Sequence, residues 1–251
     1  MMKHVEIINQ GGHILRGYLT MPDQFCHTLV VFYHGFTGNK TEHNSYFRDL
    51  SRLLEKDGFA SLRMDFYGNG ESDGTFADFT FDTMYSDAKL MLDFGKSLPG
   101  VKKIVVLGYS MGGQVAGQMC ARYPDLIDGA VLWSPGGTIA EHIARDFEIS
   151  PKLENGNANH RNFEISMAMN ESTSRYMNSY EGVENFAKPV LVIHGRADQV
   201  VSYLLGVRYA EAFPDAQLHI IDGAGHGYDQ LSEHAELFKK TLDFLKGGFI
   251  R

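Results

Sequence analysis

Short continuous runs of apolar residues constrain the fold of this chain more than any other feature. Three of them cover residues 28–33 (TLVVFY), 103–107 (KIVVL) and 189–193 (PVLVI). A strand has this composition when both of its faces are buried, as in a parallel sheet covered by helices. Residues 45–56 instead carry apolar side chains at helical spacing. Strands that alternate with helices predict an α/β fold with a mostly parallel sheet covered on both faces.

The same reasoning along the whole chain predicts eight strands and five helices. The first two strands are separated by Gly11-Gly12, which predicts a β-hairpin. The predicted strands are 5–8, 14–19, 28–33, 59–64, 103–107, 130–133, 189–193 and 218–221, and the predicted helices are about 45–56, 81–97, 114–122, 203–212 and 233–245.

Residues 136–186 interrupt this alternation. The stretch is polar in its middle, at 154–162 (ENGNANHRN), and has several methionines nearby. A structureless loop of that length is uncommon in a compact domain. We therefore predict an inserted cap at 136–186 over the carboxyl edge of the sheet, between two parts of one α/β core, 1–135 and 187–251. The alternative is a poorly packed surface excursion.

The overall composition excludes several classes of protein. The 251 residues are 43% hydrophobic and 22% charged, which is near the average for a globular protein. The net charge of −8 disfavours nucleic acid as a partner, because a negative surface repels phosphates. No signal peptide or membrane-spanning apolar run is visible, and the two cysteines and the histidines lack metal-site spacing. We expect a cytoplasmic protein without a membrane partner, a bound metal or a nucleotide.

A candidate nucleophile lies in the sequence Gly108-Tyr109-Ser110-Met111-Gly112. This G-x-S-x-G pattern is weak by itself, but here it stands directly between a buried strand and a helical stretch. In that context the serine occupies a sharp strand-to-helix turn with its hydroxyl above the sheet. The helix that follows points its N-terminus at the site, which favours a developing negative charge. The sequence therefore predicts Ser110 as a catalytic nucleophile.

A serine hydroxyl needs a base, and His226 is the best placed of the histidines. It lies in a glycine-rich loop after the last predicted strand, which ends at the same sheet edge as the nucleophile turn. Asp198 follows the preceding strand, and it would orient His226 in the order Ser…Asp…His. Asp222 is the alternative acid, and the alternative bases are His194 and His34.

Acyl transfer also needs hydrogen-bond donors for the oxyanion. The residue after the nucleophile supplies one, here the backbone N–H of Met111. The loop after the third strand, His34-Gly-Phe-Thr-Gly, supplies the other, and the backbone N–H of Phe36 is the candidate. The alternative is that this loop is simply a turn.

Taken together, these pieces resemble the α/β-hydrolase superfamily over essentially the whole chain. The matching pieces are HGF at 34–36, DFYGNGESDG at 65–74, GYSMGG at 108–113, HGRAD at 194–198 and GAGHG at 223–227. Within the superfamily the chain is most similar to the bacterial cinnamoyl (feruloyl) esterases, through HGFTGNKTE, DFYGNGESDG, the SPGGT stretch and a cap of similar size.

The resemblance implies a serine carboxylic-ester hydrolase with a Ser-His-Asp triad, no cofactor, and a small-molecule hydroxycinnamate ester as substrate. In that family polar side chains of the cap hold the phenolic hydroxyl. His142, Tyr176 and Tyr180 are the candidates for this contact. A homodimer is compatible with the sequence.

Other functions remain open on the same triad. They are a monoacylglycerol lipase, a thioesterase, a peptidase and a C–C hydrolase, since the fold does not choose among them. A non-catalytic binding protein with a hydrolase-like fold is the alternative of a different class.

Overall fold

The structure, a computed structural model, describes residues 1–250 and consists of a central sheet flanked by helices. The strands are β1 (Met2–Ile8), β2 (Ile14–Thr20), β3 (Thr28–Tyr33), β4 (Ala60–Met64), β5 (Lys103–Tyr109), β6 (Gly129–Trp133), β7 (Ala158–His160), β8 (Phe163–Ile165), β9 (Val190–Gly195) and β10 (Ala216–Ile221). The helices are α1 (Tyr46–Lys56), α2 (Phe81–Ser97), α3 (Met111–Arg122), α4 (Ile139–Ile149), α5 (Met167–Thr173), α6 (Tyr203–Ala212) and α7 (Leu231–Phe249).

Eight strands form one sheet in the order β1-β2-β4-β3-β5-β6-β9-β10. The β1–β2 and β2–β4 pairs are antiparallel, and all other pairs are parallel. The predicted eight-stranded, mostly parallel sheet with an N-terminal hairpin is therefore confirmed. The predicted strand and helix ends differ from the observed ones by a few residues, mainly because the first and last turns carry little sequence signal.

Each central strand buries both faces, and its side chains alternate between two cores. In β3, Leu29 and Val31 belong to the core under α2, α3 and α6, whereas Val30 and Phe32 belong to the core under α1 and α7. This alternation follows from the two-residue repeat of a strand. It explains why residues 29–32 (LVVF) are all apolar: helices cover the sheet on both sides.

Residues 136–186 contain α4, the small β7–β8 hairpin, α5 and a 3₁₀ turn at Val183–Asn185. Ile143, Ile165 and Met169 are buried and join the core on the α2–α3 side. Met167 and Met177, by contrast, are largely exposed. The segment thus has its own secondary structure and is attached to the main core through apolar contacts.

Among residues 1–250, no helix combines the length and the apolar character needed to cross a bilayer.

Candidate active site

The turn at Ser110 connects β5 to α3 and is strained. Ser110 has φ 56° and ψ −118°, a positive φ that non-glycine residues rarely adopt. Backbone hydrogen bonds hold the turn: the Ser110 N–H donates to Trp133 O at 2.9 Å, and the N–H groups of Gly113 and Gly136 donate to Ser110 O, each at 2.9 Å. Strain of this kind persists only where the surroundings fix it, and it is common at functional sites.

Two glycines make the turn sterically feasible. A Cβ atom at Gly108 would lie 1.8 Å from Gly112 O, and a Cβ at Gly112 would lie 1.9 Å from Tyr33 O. Both contacts are with backbone atoms, which cannot move aside without distorting the sheet. The G-x-S-x-G spacing therefore has a direct steric cause: the helix must start against the strands on either side of the turn.

The structure brings Ser110, His226 and Asp198 into one hydrogen-bonded chain at the carboxyl edge of the sheet. The Ser110 hydroxyl lies 3.0 Å from His226 Nε2, and His226 Nδ1 lies 2.7 Å from Asp198 Oδ2. A carboxylate only accepts, so Nδ1 carries the imidazole proton and Nε2 is free to accept from the serine. β5, β9 and β10 are parallel, which is why residues so far apart in sequence meet there.

Asp198 is buried, yet it is held ionised. Burial alone would raise its pKa, but hydrogen bonds from His194 and His226, the charge of His226 and a backbone bond from Val201 hold the pKa of Asp198 well below its usual range. Its Oδ1 accepts from the N–H groups of Val200 and Val201 at 2.8 Å each. A carboxylate fixed on both oxygens can orient an imidazole and stabilise its protonated form.

The alternative bases and acid lie elsewhere. His34 is fully buried: its Nε2 accepts from the N–H of Phe66 at 3.2 Å, so its Nδ1 donates to Gly35 O at 2.9 Å. His194 is also fully buried and lies 3.2 Å from Asp198, behind the carboxylate rather than beside the serine. Asp222 is exposed and forms an ion pair with Arg196. None of these three side chains contacts Ser110 among the described hydrogen bonds.

His194 supports Asp198, a role that the sequence did not predict. Its Nε2 faces two acceptors, Asp198 Oδ2 at 3.2 Å and Val201 O at 3.0 Å, so Nε2 carries the proton. Its Nδ1 is buried without a partner. His194 therefore donates from Nε2 to the same carboxylate oxygen that His226 contacts. The sequence feature that could have indicated this contact is the separation of four residues between His194 and Asp198 in HGRAD.

Two tyrosines fix the loop that carries His226, and neither contact was predicted from the sequence. The Tyr109 hydroxyl donates to His226 O at 2.8 Å, and its ring lies 5.1 Å from the imidazole. Burial raises the pKa of Tyr109 far above its usual range, so the hydroxyl remains a donor at any working pH. The Tyr46 hydroxyl, from α1, bonds to the backbone carbonyls of Gly227 and Tyr228. Tyr109 occupies the variable position before the serine in G-x-S-x-G, so the sequence did not indicate its contact with His226.

The two candidate oxyanion donors flank Ser110. Phe36 lines the same cavity as Ser110, and the loop that carries it is close, since a Cβ at Gly35 would lie 3.5 Å from Ser110 Cβ. Met111 directly follows the serine, and its side chain is buried in the core. Within residues 1–250, neither the Phe36 N–H nor the Met111 N–H donates to a protein acceptor. Both amides are thus available to a ligand atom.

A cavity of about 870 Å³ opens above Ser110, between the oxyanion loop, the His226 loop and residues 136–186. Its wall includes His142 on α4 and Phe163 on β8. Of the three cap residues expected to contact substrate, the structure brings only His142 to the cavity.

Tyr176 and Tyr180 are not among the residues that line this cavity. The Tyr176 ring stacks on Phe81 and Tyr85, and its hydroxyl donates to Asp82 at 2.7 Å. Tyr180 is buried against Tyr209. Both side chains attach the segment 136–186 to the core, which the sequence of the cap alone did not reveal.

Several proteins with similar sequences are named as hydrolases. The model of a family described as serine aminopeptidase, S33 matches residues 26–155, just over half of the chain, and a family described as TAP-like protein matches residues 169–248. The chain is 24% identical to the 2-hydroxy-6-oxononadienedioate/2-hydroxy-6-oxononatrienedioate hydrolase of a Pseudomonas species, over 86% of this chain and 87% of that protein. It is 28% identical to the 2-hydroxy-6-oxo-6-phenylhexa-2,4-dienoate hydrolase of Burkholderia cepacia, over 87% and 88%. Four further relatives are matched over less than half of their own length.

Among solved structures, Est1E from Butyrivibrio proteoclasticus with ferulic acid bound is similar over nearly the full length. The TM-score is 0.84 at 26% identity, and the match covers 98% of this chain and 100% of that chain. The fold, the family match and the relatives agree. The chain belongs to the α/β-hydrolase superfamily, in the family described as serine aminopeptidase, S33, and it is a hydrolase.

Proposed function

We propose that this hydrolase cleaves carboxylic esters through a Ser110–His226–Asp198 triad and a covalent acyl-enzyme. The observation that carries the proposal is the continuous hydrogen-bonded chain from Ser110 Oγ through His226 to Asp198, beside two unpaired backbone amides. This is the arrangement of nucleophile, base, orienting acid and oxyanion donors that acyl transfer requires.

The reaction proceeds in two steps. His226 Nε2 takes the Ser110 proton as the serine oxygen attacks the ester carbonyl, and the N–H groups of Phe36 and Met111 stabilise the oxyanion. His226 then donates that proton to the departing alcohol. In the second step His226 activates a water molecule, which hydrolyses the acyl-enzyme and regenerates Ser110.

The proposed substrates are esters with an aromatic acyl group of the hydroxycinnamate type. Phe36 and Phe163 line the cavity, and both pack on Phe76, with ring centroids 5.3 and 4.9 Å from it. These rings form an apolar aromatic wall beside the nucleophile, against which another flat ring could pack. The similarity to Est1E, whose structure contains ferulic acid, supports the same substrate class.

A panel of substrates tests this proposal. We expect the purified protein to hydrolyse ethyl ferulate faster than a medium-chain monoglyceride or an acyl-CoA. Phe163→Ala should raise KM for ethyl ferulate and leave KM for ethyl butyrate unchanged, because only the aromatic acyl group reaches the phenylalanine wall. Ser110→Ala should abolish turnover of every ester. Wild-type rates in Ser110→Ala would refute the mechanism. Equal rates on ethyl ferulate, the monoglyceride and the acyl-CoA would refute the preference for an aromatic acyl group.

The sequence relatives favour a second candidate function, hydrolysis of a 2-hydroxy-6-oxo-dienoate. The same triad and cavity would serve it. Turnover of 2-hydroxy-6-oxo-6-phenylhexa-2,4-dienoate with a kcat/KM above that for ethyl ferulate would favour this candidate over the esterase.

A further inference from the structure

Glu42 has a backbone conformation that a glutamate rarely adopts. It lies in the loop between β3 and α1, with φ 61° and ψ 171°. This region is essentially restricted to glycine, because the Cβ atom of any other residue crowds the backbone. A non-glycine residue stays there only if its side chain makes contacts that compensate for the strain.

The contacts of Glu42 lead to the oxyanion loop. Its Oε2 accepts from the N–H of Gly35 at 2.7 Å, seven residues earlier in the chain. The carboxylate also lies close to Gly38, where a Cβ would come within 3.0 Å of Oε2. Glu42 therefore binds the first residue of the segment 35–38 and lies against the last one, with the Phe36 amide between them.

A purely local role explains the conformation less well. Glu42 Oε1 accepts from the N–H of His43 at 3.0 Å and so caps the 3₁₀ turn His43–Ser45. A capping side chain usually has an extended backbone and reaches the second or third N–H of the turn, and serine, threonine, aspartate or asparagine does this without strain. The bond to the Gly35 N–H, seven residues earlier, is a contact of the Glu42 side chain that capping of His43 does not require.

We propose that Glu42 is a positioning residue for the oxyanion hole. Its charge-assisted hydrogen bond to the Gly35 N–H holds the His34–Gly35 peptide. That peptide directly precedes the Gly35–Phe36 peptide, so its position sets the direction in which the Phe36 N–H points towards the substrate carbonyl. This inference rests on the proposed acyl transfer at Ser110. Glu42 itself takes no part in proton transfer.

Three variants separate this role from a structural one. Glu42→Gly removes both the carboxylate and the strain, Glu42→Ala removes the carboxylate and keeps the strain, and Glu42→Gln keeps an acceptor oxygen. We expect Gly and Ala to lower kcat equally, by about 10- to 100-fold, with KM within about twofold. That loss is smaller than the ~10²–10³-fold cost of deleting a donor outright, because the amide is displaced rather than removed. The unfolding midpoint should be lower for Ala than for Gly, and Gln should recover part of kcat.

Ser45→Gly is the matched control. Ser45 lies in the same loop with φ 64°, its side chain makes no capping bond, and it does not line the cavity. This variant relieves similar strain without touching the Gly35 contact, so its kcat should equal that of the wild type.

A trifluoromethyl ketone, which forms an oxyanion on Ser110, gives a second measurement. Its affinity should fall with kcat in Glu42→Gly and Glu42→Ala and stay unchanged in Ser45→Gly. Wild-type kcat in Glu42→Gly, or an equal loss of kcat in Ser45→Gly, would overturn the inference. If the wild type itself hydrolyses no ester, the proposed function has failed rather than the role of Glu42.

Discussion

The bond from Tyr109 to the His226 loop offers a sensitive test of how the base is held. Tyr109→Phe deletes one oxygen and with it the 2.8 Å hydrogen bond to His226 O. A bond of this kind contributes about 0.5–1.5 kcal/mol to stability. Because Tyr109 lines the cavity, water can reach the freed carbonyl, so we expect a loss near the lower end of that range.

The loss of kcat in Tyr109→Phe depends on how far the His226 imidazole moves. If about 0.5 kcal/mol of lost interaction appears in the barrier, kcat falls about twofold. Denaturant unfolding measures the stability, and steady-state hydrolysis of ethyl ferulate measures kcat. We expect both to decrease, with little change in KM.

Tyr33→Phe is a suitable control for this substitution. Tyr33 is fully buried, and its hydroxyl donates to the backbone carbonyl of Ala88 at 3.1 Å, within the core on the α2 side. It should lose stability by at least as much and keep its kcat. If Tyr109→Phe leaves kcat unchanged, or if both variants lower kcat alike, the tyrosine does not position the base and our reasoning is wrong.

Three further predictions concern the turn, the acid and a buried carboxylate. Gly112→Ala should prevent stable folding or abolish hydrolysis, because its Cβ would lie 1.9 Å from Tyr33 O; recovery of a soluble, active protein would contradict this. Asp198→Asn should lower kcat by a factor on the order of 10⁴ through loss of the correct His226 tautomer, as measured by steady-state hydrolysis. Burial raises the pKa of Asp87 to about 6, so the folded state binds its proton more tightly than the unfolded state. Stability should therefore decrease by about 3 kcal/mol as pH rises from about 4 through 6, and Asp87→Asn should flatten that part of a pH series of unfolding curves.

The sequence predicted the parts of the site that depend on strand ends. Ser110 and Asp198 follow the buried strands β5 and β9, and His226 lies in the loop after the partly exposed edge strand β10. Parallel strands bring such positions to one edge of the sheet. The glycines at 108 and 112 also indicated the sharp turn, because a side chain at either position would collide with backbone atoms.

Contacts between distant surfaces could not be predicted. Tyr176 and Tyr180 belong to a polar-looking segment, and nothing in their neighbourhood indicates that their rings pack on α2 and α6. Tyr109 was hidden for a different reason, since any residue fits the variable position before the serine. The strain at Glu42 depends on its positive backbone φ angle. Glycine in a sequence can indicate a positive φ, but a glutamate does not.

In the proposed mechanism the Ser110 hydroxyl is a nucleophile because His226 accepts its proton. Labelling with a fluorophosphonate, followed by intact-mass analysis and peptide mapping, tests it directly. We predict one adduct per chain, located on Ser110, and a strongly reduced labelling rate in His226→Ala. An unlabelled wild-type protein, or an adduct on any other residue, would contradict the account.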